Sequence, residues 1–282
     1  MTSTTLNDTE QQQLKALLSQ GIKIPPQPAI LDEIEEKLSH VRVKIGDVAA
    51  LVAKDPGLAA MVFKIISSPV YGVRNPSESL EKAISVIGLK QMANIVKCAG
   101  LRVTLGGDAT YYEWFWDYST NIAQLASIVA WKLRTVCNIF PDQAYMAGLF
   151  HECGVPILMQ RFPDYGKSLR SSDNKEWPDL KHEDSQFKTD HCVTGFLLAR
   201  HWHLPDFICQ AVRFHHDILH TEHKATTMVA ILQMALHIHN IYASNPDAEW
   251  ENNRPRVLEE LGISSEGLKE FEEEVYDTSK SA

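Results

Sequence analysis

The stretch from Tyr111 to Val136 most constrains what this chain can fold into. Tyr118, Ile122, Leu125, Val129 and Leu133 recur at steps of three and four residues. That spacing places side chains on one face of an α-helix. A helix of this length with a single apolar stripe has to be covered by other elements of the same chain. The segments before it, through residue 105, show no strand-like alternation of apolar and polar residues, and those after it return to helical spacing. The sequence predicts an all-α protein.

The punctuation along the chain supports this. Leu14, Leu17 and Leu18 predict a short helix ending near Gly21, behind a frayed start over residues 1–13. Ile24-Pro25-Pro26-Gln27-Pro28 is extended until its last proline. Ala29 to Leu38 is helical, with acids in its early turns, where the helix dipole favours them. Ile45 to Val52 is a further short helix. Asp55-Pro56 reads as N-cap and first helical residue, and Ser67-Ser68-Pro69 closes the helix they open. Ser79 caps Leu80 to Ile87, and Gly88 separates this from Leu89 to Val103. After the long helix, Pro141-Asp142 opens one that runs into His151-Glu152. Val155 to Met159, Glu183 to His201, Phe207 to Phe214 and Lys224 to Tyr242 follow, with residues 163–180 as a polar loop. Glu251 to Asp277 is acidic and mildly amphipathic, with Leu258, Leu261, Leu268 and Phe271 as anchors.

Composition narrows the function classes. The 282 residues carry a net charge of −9, which disfavours electrostatic binding to nucleic acid. Lys90, Lys97 and Arg102 are too sparse to form a basic face. No apolar run has the ~18–20 residues a membrane helix needs, and Met1 to Gln13 lacks the apolar core of a signal peptide. The five cysteines, Cys98, Cys137, Cys153, Cys192 and Cys209, show no CxxC spacing. They read as reduced, buried thiols of a cytoplasmic protein. No phosphate-binding glycine loop and no serine-hydrolase elbow is present. Trp114, Phe115 and Trp116 form an aromatic cluster suited to core packing, with a partner-docking surface as the alternative.

The residues able to carry chemistry are His151, Glu152, His191, His215 and His216. Imidazoles with a carboxylate suit Mn, Fe, Zn or Ni rather than Ca. They lie in three separate segments, so only the fold can assemble them. Adjacent helical residues point ~100° apart, so His215 and His216 can face one site only where their helix ends.

Taken together, these segments resemble the HDOD proteins, relatives of the HD-type metal phosphohydrolases, over roughly residues 22–240. In the N-terminal half the resemblance rests on Ile24-Pro25-Pro26-Gln27-Pro28, Asp55-Pro56-Gly57-Leu58-Ala59, Ile66-Ser67-Ser68-Pro69, Ser79-Leu80, Ala83-Ile84 and Ile87-Gly88. In the C-terminal half it rests on Phe115-Trp116-Asp117-Tyr118-Ser119, the run Ala147 to Gly154, His191, Gly195, Leu197-Leu198, Trp202-His203-Leu204-Pro205 and His215-His216. Ser67 departs from the family, which usually has Asn before the Ser.

The resemblance implies a helical bundle of the HD-domain/phosphodiesterase-like type. Its N-terminal helical part would span 22–105 and its HD-like part 106–240. Residues 1–21 would form an N-terminal extension and 241–282 an acidic C-terminal one. Catalytic HD proteins hold one or two metals with a first His, a His-Asp pair, further His residues and a final Asp. Here the first His falls at Tyr118 and the final Asp at Leu236, with His237 one residue away. Tyr is a poor ligand at neutral pH and Leu is none. Glu152 replaces the Asp of the pair and keeps a competent carboxylate on a longer arm.

The resemblance thus implies a bacterial cytoplasmic signal-transduction module without catalytic residues or cofactor. It would act by binding a protein partner or a small, nucleotide-like ligand in the old pocket. The alternative is a metal phosphohydrolase or phosphodiesterase, with one divalent transition metal held by His151, Glu152, His191, His215 and His216.

Overall fold

The computed structural model describes residues 8–40, 42–67, 71, 79–106, 109–162, 164–165, 180–221 and 225–280. Among them there is no strand. In the N-terminal part, α2 (Ala29–Ser39), α3 (Ile45–Ala53), α4 (Pro56–Ile66), α5 (Leu80–Ile87) and α6 (Leu89–Thr104) pack together. Their buried faces carry Leu31, Ile34, Val48, Val52, Leu58, Val62, Ile84, Met92 and Ile95. The expected caps are present: Asp55 accepts from the Leu58 N–H at 3.0 Å and Ser79 from that of Lys82 at 3.0 Å. Each satisfies one of the donors a helix start leaves open.

The long stripe becomes α7 (Ala109–Lys132). Tyr118, Ile122, Leu125, Val129 and Leu133 are all buried. α8 (Pro141–Phe150) lies on one side of it and α13 (Thr226–Ala243) on another. Gly148 is where α8 meets α7, and an added Cβ there would lie 2.6 Å from Ala123 Cα. Phe115 and Trp116 pack in the core, as expected, while Trp114 is half-exposed. The N-terminal part joins this half through α6 on α8, where Asn94 donates to buried Asp142 at 2.7 Å.

Two expectations need correction. The start is not frayed up to residue 13, because α1 runs Asp8–Ser19. It also leaves the N-terminal bundle and packs on the helix His191–His201, where Glu10 pairs with Arg200 at 3.1 Å. The single helix expected over Glu183 to His201 is two helices, α10 (Leu180–Phe187) and α11 (His191–His201). Lys188 turns left-handed (φ 56°) and Asp190 caps α11 by accepting from the Val193 N–H at 2.6 Å. Helical periodicity across 183–201 hid a break made by a cap and a reversal. The acidic C-terminal segment docks through the anchors read from its sequence: Leu258, Leu261 and Leu268 are buried and Phe271 packs against the core. α14 (Trp250–Leu261) packs on α13, and α15 (Leu268–Lys280) packs on α7. Lys132 pairs with Glu274 at 2.7 Å, and Tyr242 stacks on Tyr276.

Between them lie α9 (Gly154–Arg161) and α12 (Asp206–Phe214), with a 3₁₀ turn at Ile218–His220. The polar loop expected at 163–180 falls largely outside the described residues. All five cysteines are free and buried, as expected.

Candidate metal centre

The five residues singled out from three distant segments converge. His151 is the C-cap of α8 and Glu152 follows in the turn to α9. His191 is the first residue of α11. His215 is the C-cap of α12, so the helix ends where His215 and His216 must both turn inward. His151, Glu152, His191 and His215 are fully buried or nearly so. The ring centroids of His215 lie 5.1 Å from His151, 5.5 Å from His191 and 4.2 Å from His216.

Each imidazole has its Nδ1 committed outward. His151 Nδ1 donates to Gly148 O at 2.6 Å and His215 Nδ1 to Val212 O at 2.8 Å, each within its own helix. His191 Nδ1 bonds Glu183 Oε2 at 2.8 Å, and that same oxygen accepts from the His191 backbone N–H at 2.9 Å. The break before α11 makes this pair of hydrogen bonds possible, because it folds α10 back beside the first residue of α11. Tyr165 donates to the other Glu183 oxygen. His216 Nδ1 bonds Glu249 at 2.8 and 2.9 Å. All four Nε2 atoms are thereby left facing inward, the arrangement found around protein-bound metals.

The inward atoms are short of partners. His151 Nε2, His215 Nε2 and Glu152 Oε2 are buried without a hydrogen bond. Glu152 sits among them, 3.2 Å from His191 Nε2, 3.7 Å from His215 Nε2 and 3.9 Å from His151 Nε2. His191 Nε2 and His216 Nε2 face each other at 3.0 Å. Two nitrogens on one ion, each ~2.0–2.1 Å from it, lie about 2.9–3.4 Å apart at the usual angles. Buried polar atoms left without a hydrogen bond cost ~1–3 kcal/mol each, and the ligand atoms of His191, Cys192, His215 and His216 lie close enough together to share one ion. By this test the residues fit a metal.

The electrostatics agree. Burial would raise the Glu152 pKa, but His191, His215 and His151 override it and hold the group ionised. Burial pushes His151 down to about 3, leaving it a neutral imidazole with a free lone pair. Burial also opposes charge on His191, yet Cys192, Glu152 and Glu183 hold its pKa well above the ordinary value. Burial opposes charge on His215 too, yet Cys192 and Glu152 hold its pKa up to about 10, so positive charge gathers beside Glu152.

Sequence reasoning missed four contributors. Cys192 places Sγ 3.4 Å from His191 Nε2, and its ligand atom lies within 4.8 Å of those of His191, His215 and His216. Its sequence context marks it only as a buried thiol. Its adjacency to His191 was the one available signal. Glu183, Glu249 and Gln233, which donates to His215 O, follow no local pattern.

Tyr118 and Leu236 line a cavity of about 650 Å³ that also reaches Glu152, His216, Asn240 and Asn253. Tyr118 stands against His151, with ring centroids 5.9 Å apart, and edge-on to His239. His237, the neighbouring candidate for the final ligand, is taken up elsewhere: it stacks on Trp250 and bonds Asp247 and Glu272. Among the described residues no helix is long and apolar enough to cross a membrane.

Comparison with known proteins agrees with the fold. A protein from Treponema pallidum (strain Nichols), described as uncharacterized, is 22% identical over 213 residues, 75% of this chain. The chain spans only 41% of that relative's length. Among solved structures, an HDOD domain protein from Geobacter sulfurreducens has a TM-score of 0.67 at 24% identity, covering 96% of this chain and 99% of the other. A Shewanella amazonensis SB2B protein, provisionally named a metal-dependent phosphohydrolase, has a TM-score of 0.72 at 16% identity, covering 97% of each chain. A Marinobacter aquaeolei VT8 protein, provisionally named a signal transduction protein, has a TM-score of 0.70 at 21% identity, covering 99% of this chain and 66% of the other. At these identities the structures establish the shared helical fold. The family itself is set by the match of residues 24–218 to the HDOD domain: this chain belongs to the HDOD family.

Proposed function

We propose that this protein is a regulatory HDOD module that holds one divalent transition metal in its HD-derived half and acts by recognition rather than turnover. The observation that carries the metal is the clustering of His191, Cys192, His215 and His216 ligand atoms beside His151 Nε2, His215 Nε2 and Glu152 Oε2, which are buried without a hydrogen bond. It favours the single-metal alternative over a cofactor-free pocket. His151, Glu152, His191, His215 and His216 would hold the ion, with Cys192 at its edge. A divalent ion there would supply a Lewis acid for an anionic oxygen.

The chain's own residues favour binding over catalysis. Tyr118 and Leu236 occupy the two positions where the resemblance expects ligands, and both face the cavity. The hydrogen-bonded carboxylates Glu183 and Glu249 orient the imidazoles but add no coordination. The cavity lies in the size range of small-ligand sites, ~300–1,000 Å³, and is lined by Gln233, Asn240, Asn245, Asn252 and Asn253. Carboxamides both donate and accept, which suits a nucleotide-like ligand. A protein partner is the other recognition mode of this reading.

The test is metal content and titration of the demetallated protein with Mn, Co and Zn ions, paired with a phosphodiester assay. The expected result is about one ion per chain and no turnover. Turnover abolished by His151→Ala would overturn the regulatory reading in favour of a phosphohydrolase. A protein that takes up none of these ions would overturn the metal.

A further inference from the structure

Three of the four imidazole anchors lie inside the segment that defines the family, residues 24–218. Gly148 O and Val212 O come from the same helices as His151 and His215, and Glu183 comes from α10. The fourth does not. His216 is oriented by Glu249, at the end of the segment that joins α13 to α14. The first turn of α14 grips His216 at both ends, because Asn253 Nδ2 also donates to the His216 carbonyl at 3.1 Å.

That segment is itself fastened down away from the cluster. Asp247 bonds His237 Nδ1 at 2.5 Å, Glu272 of α15 bonds His237 Nε2 at 3.1 Å, and the Trp250 ring lies 3.7 Å over His237. The position of Glu249 is thus set by how the C-terminal helices dock on α7 and α13.

Resting on the metal reading above, we infer that Glu249 is the positioning residue that makes His216 a metal ligand, so that the C-terminal helices α14 and α15 are a working part of the metal site. Glu249 fixes the His216 tautomer with the proton on Nδ1, leaving the Nε2 lone pair free toward His191 Nε2 at 3.0 Å. Without the carboxylate, Nδ1 loses the hydrogen bond that orients the ring. The imidazole then exchanges tautomers and rotates, and one ligand is lost for part of the time. Docking of the C-terminal helices and ion binding are linked through this contact, and a partner that moves α14 changes metal affinity.

The test uses the full chain with Co(II) as probe, read by titration and by its visible absorption, which reports coordination. Glu249→Ala should weaken Co(II) binding by ~10–100-fold, the usual effect of removing a carboxylate that orients a ligating His, and should alter the spectrum. Glu249→Gln, which can still accept from Nδ1, should fall between wild type and Glu249→Ala. The metal-free variants should melt close to the metal-free wild type, since this carboxylate is half-exposed and such surface pairs contribute little. Wild-type affinity and spectrum in Glu249→Ala would overturn this inference alone, even if its melting point fell. A wild-type chain that binds no Co(II) would instead overturn the metal reading.

Discussion

Gly154→Ala tests the packing that brings the His151-Glu152 pair to His191. Gly154 opens α9 two residues after Glu152, where α9 crosses the start of α11. An added Cβ would stand 2.0 Å from the His191 carbonyl oxygen and 2.8 Å from the Gly195 nitrogen. A comfortable carbon–oxygen contact is ~3.3 Å or more, so the two helices must part by about 1.3 Å. The obstacle is backbone on the opposing helix, and no rotamer change relieves it. Overpacking of a tight core costs ~1–3 kcal/mol, and an immovable neighbour puts this site near ~3. At ~2–4 °C per kcal/mol for a chain approaching this size, the melting temperature should fall by ~6–12 °C. The moved atom belongs to His191, so metal affinity should fall as well. Gly100→Ala is the comparison. Its Cβ meets only the Leu31 side chain, at 2.9 Å, and that side chain can swing aside. Thermal unfolding of both variants, with Co(II) titration of each, reads the difference. A Gly154→Ala protein melting within ~1 °C of wild type, or above Gly100→Ala, refutes the reasoning.

Other outcomes follow from the same geometry. Burial opposes charge on His237, but hydrogen bonds to Asp247 and Glu272 win and raise its pKa. Its stabilisation is therefore complete below the ordinary His pKa of ~6.5 and is lost as pH rises through the raised folded value. Melting temperatures should accordingly fall more between pH 6 and pH 9 in wild type than in His237→Gln, and parallel curves would contradict this. Glu183→Gln keeps the shape but removes the charge that orients His191; it should weaken metal binding by ~10–100-fold, checked by Co(II) titration. Trp202→Phe removes the donor to Pro25 O at 3.0 Å and leaves space in the core. It should cost ~1–3 kcal/mol, measured by urea unfolding, with no change in metal affinity.

Local rules of the chain determined most of the fold. Three- and four-residue spacing marked α7, and Asp55, Ser79 and Gly88 marked helix ends, because caps and glycine conformations depend on a few neighbouring residues. His151, Glu152, His191, His215 and His216 were legible as candidates from residue type and from resemblance to the HDOD family. Tertiary structure decided the rest. It broke the 183–201 pattern at Lys188 and Asp190, where a cap outweighed periodicity. It brought Glu183 to His191, and Glu249 to His216 across 33 residues. It made Gly148 and Gly154 points of close backbone contact between helices. It also showed that the C-terminal helices reach the site. The physical reason is that orientation of a ligand is set by hydrogen bonds made through space. Such partners leave no periodic trace in the chain, whereas a helix is encoded within each turn.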